Sequence, residues 1–329
     1  MKVTVLGYYS SINKGNIWML KGFFHFFPVK KVYLPVLYPH VEKLIIKREK
    51  MRKKVEVVWF LNLFKLLNLI LKSKNIFFLF GDTLTGEYGL FSNFFALLNL
   101  TFLLFIGRKS IILPSTLLPS KFSKSFLKFF LKRAKKIYIR EKNSLKELKI
   151  INKNTFVAKD LAVFYLNTKK STNKEKRKII TLVLRNSTPK LLGIERKKFV
   201  DLITEQLSFI LKKYPKYRFI LLPFQIGVRR KNDDRIILRE IYESMKNYKK
   251  RVVFLKEYLT LEKVLKIISK SVMLISSRFH ACLIAYKVGT PFIALNENFK
   301  IANFARKKGI LLNKTDLEKV SKYLDINLI

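Results

Sequence analysis

Residues 274–295, LISSRFHACLIAYKVGTPFIAL, indicate the fold most clearly. An apolar run ends at Ser276, and a helical stretch begins after it. Gly289 can close that helix, and Pro291 starts the next apolar run. A strand, a helix and a second strand in this order are typical of proteins whose parallel strands are joined by helices.

The same alternation of short apolar runs and longer helical stretches extends over the whole chain. The strand candidates are Lys2–Leu6, VEVVWF, NIFFLF, SIIL, KIYIR, KIITLVLR, RFILLP, RVVFL, SVMLIS and PFIAL. Helices are expected from near Ile17, over NLFKLLNLILK and KSFLKFFLKRA, around Arg196 to Lys213, and from Asp233 to Met245. These runs are apolar throughout, as expected of strands that helices cover on both faces. The sequence therefore predicts an α/β protein built on parallel sheets.

A polar segment divides this pattern into two halves. Residues 167–178, NTKKSTNKEKRK, contain no apolar residue and predict an interdomain linker at 168–178. We expect a Rossmann-like domain on each side, residues 1–167 and 179–329, with a central cleft between them. Ligands of such sheets bind outside the carboxyl ends of the strands.

The charge of the chain is strongly positive. There are 67 Lys and Arg against 22 Asp and Glu in 329 residues, for a net charge of +45. Such a charge favours anionic partners, such as nucleic acid, anionic lipid, an acidic glycan or a phosphorylated substrate. The lysines are spread through helices and linkers alike, which favours a solvated basic surface over one polyanion site. No basic-aromatic signature of an RNA-binding module occurs, so no specific nucleic-acid partner is expected.

The single cysteine, Cys282, excludes an intrachain disulfide and is expected to be a small core residue. The sequence shows no spacing typical of a metal site. The first residues enter a strand without the apolar run of a signal peptide, so we expect a cytoplasmic protein. The stretch Leu90–Ile106, LFSNFFALLNLTFLLFI, approaches a membrane span in length and hydrophobicity, but Ser, Asn and Thr interrupt it. We expect a buried helix there, while docking on the membrane surface and a true span remain alternatives.

Polar groups follow the first apolar run of residues 274–295, where Arg278 and His280 stand at the start of the helix. A helix start attracts anions because its first N–H groups have no partner within the helix. Arg278 adds a planar set of donors for phosphate or carboxylate, and His280 can give or take a proton near neutral pH. In the alternative interpretation, Arg278 pairs with a carboxylate and His280 caps the helix. Asp233 and Asp234 are expected only to begin another helix.

Arg278 and His280 belong to an ordered set of motifs. The run S-x-R-F-H-A, then G-x-P-F-I-A-L, then Lys300 and Phe304, closely resembles the signature of the polysaccharide pyruvyltransferase family. Further stretches fall in that family's order: GYYSSINKGN, IFFLFGDTLTGEYG, IYIREKNSLKEL, KDLAVF and LVLRN. The resemblance covers nearly the whole chain.

The resemblance implies two Rossmann-like domains of the glycosyltransferase-B group and a transferase that forms pyruvate ketals. Phosphoenolpyruvate would be the donor and co-substrate with no further cofactor, and a hydroxyl pair on a cell-envelope glycan would accept the enolpyruvyl unit. The N-terminal domain would serve the acceptor, and Arg278 and His280 would belong to the donor site of the C-terminal domain. A lipid-linked acceptor would bring peripheral contact with the anionic inner face of the cell membrane.

We assign roles to the matching residues as hypotheses. His280 transfers a proton, and Arg278 and Arg185 bind the phosphate or carboxylate of the donor. Lys300 reaches the same anion or lies on a solvated loop. Arg140 is a further anion contact, or it pairs with Glu141 or a helix end.

The opening motif adds substrate contacts from Asn13, Gly15 and Asn16. Asn16 stands where the family usually has Asp, and an amide cannot act as a base. Asp82 is the candidate catalytic residue that takes over this role, with Glu87 as the other choice. Turn formation and helix capping explain both acidic residues as well.

Two other functions remain open from the sequence. A glycosyltransferase that uses a nucleotide-activated sugar shares the two-domain plan. A non-catalytic binder of polyanions or membrane surfaces would account for the charge alone, and its binding would collapse with salt.

Overall fold

The computed structural model describes residues 2–7, 12–79, 109–116, 124–140, 142, 145–166, 178–227, 230–296 and 299–328. The chain divides into two compact units. The first comprises Met1–Ser11 and Gly15–Tyr165, and the second Ile12–Lys14 and Leu166–Ile329. The predicted linker lies outside the described residues except for Lys178, and so do Leu90–Ile106 and Asp82.

The first unit contains a parallel sheet. Its strands within the described ranges are β1 (Lys2–Leu6), β2 (Lys31–Val36), β3 (Val55–Trp59), β4 (Ile76–Phe78), β5 (Ser110–Ser115), β6 (Lys136–Ile139) and β7 (Thr155–Val157). They lie in the order β3-β2-β1-β4-β5-β6-β7. The described helices are α1 (Lys14–Phe26), α2 (Pro39–Arg48), α3 (Leu63–Lys72), α4 (Lys124–Leu131), α5 (Leu145–Ile151) and α6 (Leu161–Leu166).

The second unit repeats this plan. Its described strands are β8 (Ile179–Val183), β9 (Arg218–Leu221), β10 (Val252–Phe254), β11 (Met273–Ser276), β12 (Phe292–Leu295) and β13 (Ile310–Leu312). They pair in parallel in the order β10-β9-β8-β11-β12-β13, which is the Rossmann order 3-2-1-4-5-6. The described helices are α7 (Thr188–Leu192), α8 (Arg196–Lys213), α9 (Arg235–Ser244), α10 (Leu261–Ser269), α11 (Phe279–Val288), α12 (Phe299–Lys308) and α13 (Val320–Leu328).

Helix α8 shows how the sequence builds the core of the second unit. Phe199, Ile203, Leu207 and Ile210 recur every three or four residues, so they share one face of the helix. All four are buried in a cluster with the apolar residues of the neighbouring strands. The burial of this face, and not helix propensity alone, therefore holds α8 on the sheet.

The prediction of an α/β protein with two parallel sheets is confirmed. Three strands, β2, β7 and β13, were not predicted. In β2, Pro35 cannot donate a ladder hydrogen bond and argues against a strand. The strands β7 and β13 have only three residues each, too few for a recognisable period. Helix α1 begins at Lys14, three residues before the predicted start near Ile17.

Two further predictions concern Cys282 and membrane-spanning helices. Cys282 is buried in α11, as predicted for a small core residue. Among the described residues, no helix is both long and apolar enough to cross a membrane.

Gly22 provides a test of the packing in the first unit. A Cβ added at Gly22 would lie 1.8 Å from the carbonyl oxygen of Leu161. Gly22→Ala should therefore lower the free energy of unfolding by about 1–3 kcal/mol, because the backbone of α6 has to move. Helix propensity alone would raise it by about 1 kcal/mol, so the sign of the change decides between the two effects. Urea denaturation measures it, and a stabilised variant would contradict the close approach of α1 and α6.

Candidate active site at the carboxyl edge of the second sheet

The strand order of the second sheet defines where a ligand can bind. The chain runs outward from β8 to β10, then crosses to β11 and continues to the opposite edge. Strands β8 and β11 are direct neighbours, with Val183 beside Ser276 at their carboxyl ends. The connections leave this point in opposite directions, which opens a crevice at the ends of the two strands.

Serine hydroxyls shape the two loops at this point. Ser276 Oγ accepts a hydrogen bond from the backbone N–H of Arg278 at 2.8 Å. Ser277 Oγ accepts one from the N–H of Arg185 at 2.9 Å and shares another with the hydroxyl of Thr188 at 2.8 Å. The loop after β8 and the loop after β11 are therefore joined. Arg185 and Arg278 are presented from adjacent loops.

The carboxylate of Asp234 holds a third loop to these two. Its Oδ1 accepts from the N–H of Asn186, and its Oδ2 accepts from the N–H groups of Phe224 and Gln225 at 3.2 and 2.8 Å. The guanidinium Nη2 of Arg278 completes the set by donating to Oδ1. The loops after β8, β9 and β11 thus meet at one fully buried carboxylate.

This role of Asp234 could not be predicted from the sequence. Asp234 does precede α9, as predicted, but its side chain does not cap that helix. Its partners lie between 9 and 48 residues away along the chain. No local motif could mark such a contact, because only the tertiary fold brings these loops together.

Arg278 lies immediately before α11 and is only 5% exposed. Its pairing with Asp234 matches the alternative interpretation of the sequence, in which a carboxylate holds this side chain. The contact with Asp234 uses the Nη2 donor of the guanidinium and leaves its Nε. The Nε atom is buried and has no hydrogen-bond partner among the described residues. An unmet buried donor costs about 1–3 kcal/mol, so such an atom calls for an explanation such as a bound acceptor.

His280 and Lys300 lie at the same edge. His280 is the second residue of α11, half-buried, with its ring edge-to-face against Phe279 at 5.2 Å between centroids. Lys300 lies in the first turn of α12 rather than on a loop. Its Nζ lies 4.0 Å from the centroid of the Phe279 ring, a favourable cation–π distance. The second unit thus gathers four predicted residues, Arg185, Arg278, His280 and Lys300.

Arg140 belongs to the first unit and is held there. Its Nε lies 3.1 Å from a carboxylate oxygen of Asp160 and donates to the carbonyl of Pro114 at 3.0 Å. Both charged side chains are buried. The sequence suggested Glu141 as an alternative partner, and that residue lies outside the described ranges; the carboxylate that pairs with Arg140 in the structure is Asp160.

The residues of the opening motif have different settings. Asn13 forms an isolated backbone bridge with Gln225 and belongs to the second unit. Gly15 is buried and Asn16 half-buried in the first turn of α1. The structure does not test their roles, and Asp82 lies outside the described residues. Within the described ranges, no three His, Cys, Asp or Glu side chains are placed to hold a metal ion.

Two Rossmann-like units with this strand order define an α/β protein of the glycosyltransferase-B-like class, and solved structures share the fold. The UDP-GlcNAc 2-epimerase of Neisseria meningitidis bound to UDP-GlcNAc has a TM-score of 0.62 at 13% identity, covering 100% of this chain and 93% of the epimerase. A putative UDP-N-acetylglucosamine 2-epimerase of Listeria monocytogenes gives 0.66 at 12% identity, covering 99% and 87%. Anabaena HepE in complex with UDP-glucose has a TM-score of 0.58 at 13% sequence identity, and the match covers 99% of this chain and 89% of HepE.

Within this fold class, the sequence identifies the family. The family model for polysaccharide pyruvyl transferase matches residues 13–298, so the chain belongs to that family, as its motifs indicated. No curated protein matches the sequence significantly.

The junction at Asp234 can be tested by removing its charge. Asp234→Asn leaves the buried guanidinium of Arg278 without a counter-charge and should lower the free energy of unfolding by about 3–5 kcal/mol. Asp233→Asn is the matched control, because Asp233 pairs with the partly exposed Arg235. The control should lose about 1 kcal/mol or less. Urea denaturation compares the two, and equal losses would contradict the role given to Asp234.

Proposed function

We propose that this protein transfers the enolpyruvyl unit of phosphoenolpyruvate to a pair of sugar hydroxyls, as a pyruvate ketal. Its membership of a transferase family supports the reaction class. The observation that carries the proposal is the buried Nε of Arg278, which lacks a hydrogen-bond partner among the described residues. This donor lies at the start of α11 and at the crevice between β8 and β11, where Rossmann-like sheets bind their ligands.

The electrostatics of this edge suit a small dianionic or trianionic ligand. Asp234 offsets the charge of Arg278, so the pair contributes a directed donor rather than a net positive charge. Arg185 and Lys300 are further cationic side chains at this edge, and the N-terminus of α11 adds a partial positive charge. Phosphoenolpyruvate offers a phosphate and a carboxylate, which these groups would hold together.

The reaction requires a proton transfer to the methylene carbon. At the adjacent carbon, two bonds to sugar oxygens form and the bond to the phosphate oxygen breaks. His280 delivers a proton to the methylene carbon, which becomes the methyl group, and leaves the adjacent carbon electrophilic. One sugar hydroxyl adds to that carbon and loses its proton to a base. The bond to the phosphate oxygen breaks, phosphate leaves, and the second hydroxyl adds to close the ketal. Of the two hydroxyl protons, one balances the proton on the methyl group and the other leaves with phosphate.

The acceptor contacts belong to the same proposal. Asn13, Gly15, Asn16 and Arg140 are proposed substrate contacts, and Asp82 is the proposed base for a hydroxyl. Because Arg140 is already paired with Asp160, it would act as a hydrogen-bond donor more than as a charge. The acceptor is proposed to be a cell-envelope glycan, with a lipid-linked precursor as one form.

A second candidate is a glycosyltransferase or related enzyme that uses a nucleotide sugar. The observation that favours it is the fold shared with a protein in complex with UDP-glucose and with an epimerase bound to UDP-GlcNAc. The two functions differ in the donor, because a nucleotide sugar needs room and contacts for a base and a ribose. Binding measurements with both donors separate them.

Calorimetric titration tests the donor. At fixed moderate salt, the wild type should bind phosphoenolpyruvate more tightly than inorganic phosphate or UDP-GlcNAc. Arg185→Gln removes a charge-assisted contact and should weaken this binding by about 10- to 100-fold. His280→Gln should retain the affinity, because its proposed task is proton transfer.

Arg218→Gln is the matched control for this titration. Arg218 is exposed at the amino end of β9, at the opposite edge of the same sheet, so the variant loses the same charge away from the site. Its affinity should equal that of the wild type. An equal loss of affinity for phosphoenolpyruvate in both variants would show that binding depends on diffuse positive charge and not on this site. Selective binding of UDP-GlcNAc would support the second candidate.

A further inference from the structure

Helix α3 has an apolar surface that remains exposed among the described residues of the first unit. Leu66 and Ile70 lie on one side of the helix and are buried in the core of the first unit. The apolar arc continues around the helix through exposed residues spaced four apart, Leu63, Leu67 and Leu71. The helix therefore buries only one edge of its apolar arc, and the rest faces outward.

Aromatic side chains extend this surface. Phe64 on α3 is 90% exposed, and Trp59, at the end of the edge strand β3, is 50% exposed. We define the outward apolar face as the exposed side chains of this segment: Trp59, Leu61, Leu63, Phe64, Leu67 and Leu71. Exposed apolar residues gathered in one segment mark interaction surfaces, whereas scattered ones need no explanation.

The charge beside this face identifies the kind of partner. Residues 57–79 contain three lysines and no acidic residue, and one of them, Lys65, pairs with the adjacent Glu56 at 3.4 Å. Lys72 ends α3, Lys74 follows it, and both are exposed. A second copy of this chain would bring a further charge of +45 to the contact, which opposes self-association. An anionic surface is attracted by the same charge.

The composition of the face agrees with an interfacial location. Trp, Phe and Leu on one face of a short helix, with lysines at its end, are typical of helices that lie in the headgroup region of a membrane. Trp59 would lie at the level of the headgroups, and the lysine stems reach toward the lipid phosphates.

We propose that the outward apolar face docks this protein on an anionic lipid bilayer. Phe64 and Leu71 enter the boundary of the acyl chains, and Lys72 and Lys74 contact the lipid phosphates. The contact is peripheral and reversible, because it combines a small apolar area with electrostatic attraction. It does not depend on the proposed donor site, and a failure of either proposal leaves the other standing.

Vesicle flotation tests the docking surface. The wild type should float with phosphatidylglycerol vesicles at low salt and bind phosphatidylcholine vesicles far more weakly. Phe64→Ser/Leu71→Ser keeps the net charge and should reduce binding to phosphatidylglycerol by at least about tenfold, because it removes two inserted side chains. Both positions are exposed, so the variant should fold normally, which circular dichroism checks.

Leu191→Ser/Phe209→Ser is the matched control, since it removes two exposed apolar side chains from the second unit. It should float like the wild type.

The fluorescence of Trp59 is a second measurement, because the other tryptophan, Trp18, is buried. Brominated lipids should quench Trp59 in the wild type only when phosphatidylglycerol is present. Three results would overturn the proposal. They are equal flotation of the Phe64→Ser/Leu71→Ser variant and the wild type, no flotation of the wild type, and a wild-type dimer that this variant converts to monomer.

Discussion

The carboxylate of Asp234 fixes the edge of the second sheet on which the proposed chemistry depends. Taking a carboxylate and a guanidinium out of water is unfavourable unless both find hydrogen bonds in the interior. Asp234 obtains them from Arg278 and from backbone N–H groups of Asn186, Phe224 and Gln225. Because these groups come from three loops, the same contacts that stabilise the buried charge also set where α11 begins.

In the proposed donor site, one group orients the anion and other groups supply positive charge. Arg278 is rigid and charge-compensated, so it can orient an anion through Nε without adding net charge. Arg185 and Lys300 are further cationic groups at the same edge. The fold alone does not choose the ligand, since proteins with the same fold bind nucleotide sugars. The choice of phosphoenolpyruvate rests on family membership together with the residues at the start of α11.

Local patterns predicted the elements that position this site. The apolar runs predicted β8 and β11, the helix expected around Arg196 to Lys213 is α8, and Gly289 closes α11 with a positive φ of 72°. Long-range contacts could not be predicted in this way. Asp234 looked like a helix start because its partners are distant in sequence. The pattern of α3 predicted a helix, but periodicity does not tell which edge of an apolar arc is buried and which stays exposed.

A crystal structure of the protein with phosphoenolpyruvate bound is the decisive measurement for the proposed donor site. We expect the phosphate and carboxylate at the carboxyl ends of β8 and β11, with an anionic oxygen accepting from Nε of Arg278 and the methylene carbon near His280. The contact between Arg278 and Asp234 should persist in that complex. Phosphoenolpyruvate bound elsewhere in the chain, with Nε of Arg278 satisfied by a protein group, would contradict it.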